Sequence, residues 1–129
     1  MTKQAPPQLV AEFETDAHGD PRFVEQGGLK HYKIVFEIQN IPANAYAATF
    51  ELDPSYYDPV RTLRPDPDGK IRLETTAFGD YDVKVRVRTK EGEVPVFGTL
   101  KTALQNSAQR GLAAANPAVD AALEYIASH

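Results

Sequence analysis

Over roughly the first hundred positions, apolar and polar residues alternate in short runs, and proline- and glycine-rich segments separate those runs. A period of two puts alternate side chains on opposite faces of a strand. Gln8-Leu9-Val10-Ala11-Glu12-Phe13-Glu14 reads as a first strand, and Arg22-Phe23-Val24-Glu25 as a short second one, ended by Gly27-Gly28. His31-Tyr32-Lys33-Ile34-Val35-Phe36-Glu37-Ile38 is a strand with Tyr32, Ile34, Phe36 and Ile38 on one face. Residues 46–52 form another, with Tyr46, Ala48, Phe50 and Leu52 expected to share one face. Short strands follow at 60–63 and 71–74. The run 81–89 directs Tyr81, Val83, Val85 and Val87 inward, and 94–97 comes last. Pro95 cannot donate to a ladder, so this last strand belongs at a sheet edge or carries a bulge.

Turn chemistry supports the same division. Ala17-His18-Gly19-Asp20-Pro21 is a turn, and Lys90-Glu91-Gly92-Glu93 is a hairpin loop. Arg64-Pro65-Asp66-Pro67-Asp68-Gly69 is a turn whose Asp-Gly step is a hairpin signal. Beyond residue 100 the spacing becomes helical. Leu100, Ala103, Leu104, Ala108 and Leu112 predict a helix near 101–110, with Gly111 as its C-terminal cap. Asn116-Pro117 opens a second helix over 117–128, with Val119, Ala122, Leu123 and Ile126 as its stripe. Helices this short are marginal alone and must bury their stripes against the strands or a second subunit. Seven or eight short strands with regular turns predict an all-β, antiparallel sandwich over 1–100 and a helical appendage over 101–129.

At 129 residues the chain has room for one domain with a real core. The absence of cysteine excludes disulfides, thiolate metal sites and cysteine nucleophiles. A net charge of −4 argues against binding nucleic acid, because no cationic excess exists to release counterions. No run approaches the ~20 apolar residues needed to cross a bilayer, so no membrane partner is expected. The opening Met1-Thr2-Lys3-Gln4-Ala5-Pro6-Pro7 has one cation and no apolar run. It does not read as a secretory signal, and the cytoplasm is the expected compartment.

Few residue patterns carry chemistry. His18, His31 and His129 are far apart and show no ligand spacing, so neither a metal nor another cofactor is expected. Asp66 and Asp68 faintly resemble a calcium loop, but the twelfth position counted from Asp66 is Ala77. Turn chemistry explains these residues. Lys84, Arg86 and Arg88 form a basic stripe on one sheet face, expected to be solvated and met by Glu91 and Glu93 from the next strand. No G-x-S-x-G elbow, phosphate loop or paired-carboxylate motif is present, so the chain does not read as an enzyme.

The remaining signal is aromatic and lies in two connections. Asp53-Pro54-Ser55-Tyr56-Tyr57-Asp58-Pro59 carries two tyrosines and a serine, and Thr75-Thr76-Ala77-Phe78-Gly79-Asp80-Tyr81 carries a phenylalanine beside a glycine. Aromatics in connections point to binding more strongly than aromatics in strands, which usually serve the core. Loops that met at one end of a sandwich would form a slot of ring faces, suited to a flat or slim acyl ligand. The plainer alternative is that Tyr56 and Phe78 cap the core.

The stretch Ala48-Thr49-Phe50-Glu51-Leu52-Asp53-Pro54-Ser55-Tyr56, followed by Asp58-Pro59-Val60-Arg61, resembles the YEATS domain. So do Ile71-Arg72-Leu73-Glu74 and the Ala77-Phe78-Gly79-Asp80-Tyr81 loop that follows it. The likeness covers about residues 31 to 100 and is similar most of all to the prokaryotic branch. It implies an immunoglobulin-like β-sandwich and, by analogy with eukaryotic members, a reader of acylated lysine. It implies Tyr56 and Phe78 as the enclosing rings, Ser55 as the hydroxyl, and the N–H groups of Phe78 and Gly79 as the clamp. Two positions depart from the family pattern: Asp53 stands where the family has histidine, and Ala77 where it has glycine. The resemblance also implies a sensor module in prokaryotic signalling or defence, with a modified peptide or protein as partner. The alternative is a protein–protein adaptor or structural immunoglobulin-like domain. It would use the edge strand near Pro95, or pair as a homodimer through the C-terminal helices.

Overall fold

Eight strands and two helices are present in a computed structural model that describes residues 6–54, 56, 58–106 and 117–129. The strands are β1 (Gln8–Phe13), β2 (Phe23–Gln26), β3 (Leu29–Gln39), β4 (Ala45–Glu51), β5 (Val60–Leu63), β6 (Arg72–Ala77), β7 (Asp82–Thr89) and β8 (Gly92–Thr99). The helices are α1 (Leu100–Gln105) and α2 (Pro117–Ser128). All strand pairs are antiparallel. In the first sheet, β3 pairs with β6 and, in successive stretches of its length, with β2 and β1. The second sheet has the order β5-β4-β7-β8.

The alternation read along the chain is what fills the space between the sheets. Ile34, Phe36 and Ile38 from β3 and Val83, Val85 and Val87 from β7 are buried in one core with Leu9, Phe13, Phe50 and Leu73. The Phe36 and Phe50 rings meet across it at 6.4 Å. The β2–β3 turn has both Gly27 and Gly28 at positive φ, the conformation a tight two-residue hairpin needs. β8 is an edge strand, as Pro95 required.

Three expectations need correction. Tyr46 does not face the core but is 54% exposed, because a register shift between Ala45 and Ala47 breaks the alternation. The Asp68-Gly69 turn does not close a hairpin. Asp66 Oδ1 accepts the N–H groups of Asp68 and Lys70, and the turn then carries the chain from β5 in one sheet to β6 in the other. The chemistry of a turn fixes a local reversal, whereas core packing chooses the strand's partner. On the basic stripe, Arg86 pairs with Glu51 of β4 at 3.3 Å, and no ion pair to Glu91 or Glu93 is present among the described residues.

Both helices bury their stripes against the strands. Thr99 caps α1 by accepting the N–H of Thr102 at 3.1 Å, and Leu100, Ala103 and Leu104 join the sandwich core. Val119, Ala122 and Ile126 of α2 are buried in the same core, with Leu123 packed against it. The Tyr125 hydroxyl accepts the Lys30 N–H at 2.9 Å and pins α2 to the start of β3. A homodimer through these stripes would first require the helices to undock. Ala108, Leu112 and the caps at Gly111 and Asn116 lie outside the described residues. No described helix is long and apolar enough to cross a membrane.

Candidate functional site

The β4–β5 and β6–β7 connections meet at one end of the sandwich. In the first, the Leu52 N–H bonds the Pro59 carbonyl at 2.7 Å and closes the base of the loop. The Tyr56 N–H returns to the Asp53 carbonyl at 3.1 Å. This tight turn directs the Tyr56 side chain towards β6 and β7. Its hydroxyl donates to the Thr76 carbonyl, which leaves its lone pairs to accept from the Tyr81 hydroxyl at 3.0 Å. The two rings lie edge to face, with centroids 5.6 Å apart. Burial pushes both phenols up from their ordinary pKa, Tyr81 far up, and the negative charge of Asp53 adds to the effect in each.

The second connection is anchored from below. The Tyr81 carbonyl accepts the Leu100 N–H at 2.9 Å, and Asp80 Oδ1 accepts the Lys101 N–H at 2.9 Å. Phe78 projects from this anchored loop, 39% exposed, with its ring 5.2 Å from that of His31. Gly79 is buried beneath the end of α2. A Cβ on Gly79 would stand 2.6 Å from the His129 carbonyl carbon and 2.9 Å from its oxygen. Its φ is not positive, so the residue is glycine for want of space and not for backbone conformation. No hydrogen bond engages the N–H of Phe78 or Gly79 among the described residues.

Between the two connections lies a cavity of about 420 Å³, within the ordinary range for small-ligand sites. Asp53, Tyr56, Phe78 and Gly79 all line it, together with His31, Thr76, Asp80, Tyr81 and His129. Four of the five residues singled out in the sequence therefore share one cavity. The fifth, Ser55, lies outside the described residues. The contacts divide the lining. Tyr56 and Tyr81 are mutually bonded on the side of the β4–β5 loop, while His31 and His129 belong to the side built by β3 and α2.

Sequence reasoning overlooked both of those histidines as site residues. No spacing relates them, since they are brought together only by the docking of α2. Tyr81 was legible only as an inward strand residue, although it immediately follows the Phe78 loop. Among the described residues no group of three His, Asp or Glu side chains could hold a metal ion.

A family model described as the prokaryotic YEATS domain matches residues 32–97. The chain belongs to that family. The match falls inside the 31–100 stretch that carries the resemblance in sequence. Among solved structures, the yeast AF-9 homolog protein Yaf9 superposes on this YEATS chain with a TM-score of 0.51 at 18% identity. That alignment covers 74% of this chain and 66% of the Yaf9 chain, so this chain spans just under two thirds of its neighbour. The likeness is one of fold. Two other structures of the Yaf9 YEATS domain align at 18% identity. One, titled as bound to H3K27ac, has a TM-score of 0.48 and covers 74% of this chain and 70% of that one. The other, titled as recognizing an H3K122suc peptide, has a TM-score of 0.46 and covers 71% and 65%. No curated protein matches the chain.

Proposed function

We propose that this YEATS domain is a non-enzymatic recognition module that takes an acylated lysine side chain, or a related small acyl-type ligand, between Tyr56 and Phe78. One observation carries the reading: two aromatic loops share a cavity lined by Phe78 and Gly79, whose N–H groups have no hydrogen-bond partner among the described residues. Ring faces hold an acyl chain by dispersion and by the apolar area that both bury. Unengaged N–H groups suit an amide carbonyl, which needs directed donors once it leaves water. The Ser55 hydroxyl is the third donor in this reading. Asp53 and Asp80 make the lining acidic, which favours neutral acyl groups over anionic ones. The module would serve as a sensor within prokaryotic signalling or defence, reading a modified peptide or protein.

The test is calorimetric titration with acetylated, crotonylated and unmodified lysine peptides. Binding is expected to need the acyl group and to weaken at least about tenfold in Phe78→Ala, equivalent to ~1.4 kcal/mol. Acyl-dependent binding that ignores Phe78 would remove the slot from the reading, and no binding to any acyl peptide would remove the function.

The adaptor reading retains one supporting observation. Among the described residues β8 is paired on one side only, and Phe97 on it is 70% exposed beneath the Lys84 ammonium, which sits 5.6 Å from the ring. An open edge beside an exposed ring suits addition of a partner strand. Weakened capture of a partner by Phe97→Ser, with acyl binding intact, would favour it.

A further inference from the structure

The slot has one wall that belongs to neither aromatic loop. His129, directly after α2, lines the cavity, and its backbone lies so close to Gly79 that no side chain fits there. This wall is held in place by several contacts. The His129 ring stacks on Tyr125 with centroids 3.9 Å apart and planes 18° from parallel. Its Nδ1 lies 2.8 Å from the Tyr125 carbonyl oxygen. A carbonyl only accepts, so Nδ1 carries the proton. Tyr125 is in turn bonded through its hydroxyl to the Lys30 N–H, and its ring meets Tyr32 edge to face at 5.7 Å. Ile126, one turn away on the buried stripe, is fully buried. The end of α2 is thus fixed to β3 and to the core, and the residue that follows it is seated against the loop bearing Phe78.

We infer that His129 closes the slot on the side of β3 and sets the length of acyl group that Tyr56 and Phe78 can enclose. This rests on the acyl-binding reading above. An acyl chain whose amide bonds the Phe78 and Gly79 N–H groups extends between the rings. Every further methylene must find room in a cavity of about 420 Å³ that His129 bounds. The wall is stacked, hydrogen-bonded and carried by a helix whose apolar stripe is buried, and a chain too long for the slot meets steric exclusion there. The discrimination is set by a residue outside the stretch matched by the family model, which ends at residue 97. Relatives with the same two loops but a different segment in place of α2 would then differ in the acyl length they accept.

The experiment measures affinities of the full chain for peptides bearing acetyl-, butyryl- and hexanoyl-lysine, in the native protein, His129→Ala and His129→Trp. The native protein is expected to prefer the shorter groups by about tenfold or more per excluded methylene step. His129→Ala should raise the affinity for the longer chains relative to acetyl, and His129→Trp should sharpen the preference for acetyl. Opposite shifts for the smaller and larger side chain cannot come from general damage to the fold. Affinities that fall together in both variants, or a length profile that neither variant alters, would overturn the inference while acyl binding itself stands. Absence of binding by the native protein to all three peptides would overturn the acyl reading, and this inference with it.

Discussion

The two aromatic walls of the slot are built on different principles. The tyrosine wall is partly buried and hydrogen-bonded: Tyr56 joins the β6 backbone at Thr76 and the side chain of Tyr81, and the two rings meet edge to face against the core. The phenylalanine wall is half open, with the Phe78 ring against that of His31. The first resembles a piece of core with its polar atoms satisfied, whereas the second resembles an exposed binding face. Much of the cost of ordering the first has already been met in folding, while the second still has apolar surface to bury when a ligand arrives. One wall therefore positions and the other captures, and substitutions on the two should separate stability from affinity.

The largest expected effect removes the support beneath both walls. Ending the chain after Leu100 takes away Leu104, Val119 and Ile126, each nearly or fully buried in the common core. At about 1.5–3 kcal/mol for each fully buried side chain, this uses up much or all of the 5–15 kcal/mol that holds a typical domain folded. Circular dichroism and denaturant titration should find the truncated chain unfolded or close to it. A shortened chain that melts cooperatively near the native temperature would mean that 101–129 is an appendage after all.

A pair of substitutions sharpens the contrast directly. Tyr81→Phe removes the donor to Tyr56 and should lower stability by about 1–2 kcal/mol in urea titration, with a small effect on acyl-peptide affinity. Phe78→Ala should do the reverse, leaving stability within about 1 kcal/mol while affinity falls at least about tenfold. Equal losses of stability and affinity in both variants would erase the distinction.

The phenols also predict a pH response. Both Tyr56 and Tyr81 are raised above the ordinary phenol value of 10.0, chiefly by burial. Above about pH 10 the unfolded chain loses protons that the folded chain keeps. Stability is therefore undiminished below that pH and falls as pH rises through it, by up to ~1.4 kcal/mol per pH unit for each retained proton. Denaturation midpoints measured on either side of that pH should show the fall, and a flat profile would mean that the tyrosine wall is wetter than its contacts indicate.

The smallest effect concerns Asp53, whose charge opposes ionisation of both phenols. Asp53→Asn should let the phenols ionise at lower pH and raise affinity for neutral acyl peptides by a few-fold, about 0.5–1 kcal/mol, because a carboxylate no longer has to lose water when the slot fills. Phenolate absorbance followed through an alkaline titration reads the first change, and calorimetry the second.

Much of the fold was legible because alternation is a local property. The β3 and β7 runs show their inner faces residue by residue, and Pro95 marks its strand as an edge without reference to any partner. The same reasoning misplaced Tyr46, because a bulge shifts the pattern by one residue and leaves no mark in composition. It also paired β5 with β6, because Asp68-Gly69 encodes a reversal and not a neighbour. Asp53, Tyr56, Phe78 and Gly79 were legible as candidates through the two aromatic connections and the resemblance that those connections carry, and all four line one cavity.

Sequence by itself determined the strand faces, the edge, the helical stripes and the two aromatic loops, since each depends on residues a few positions apart. Tertiary structure alone decided that the loops converge and that Tyr81 anchors Tyr56. It alone brought His31, in β3, and His129, beyond α2, to one cavity. The requirement for glycine at position 79 shows the division most clearly. Its φ does not itself call for glycine, and it is the arrival of His129 against it, carried there by the packing of α2 on β3 and the core, that leaves no room for a side chain.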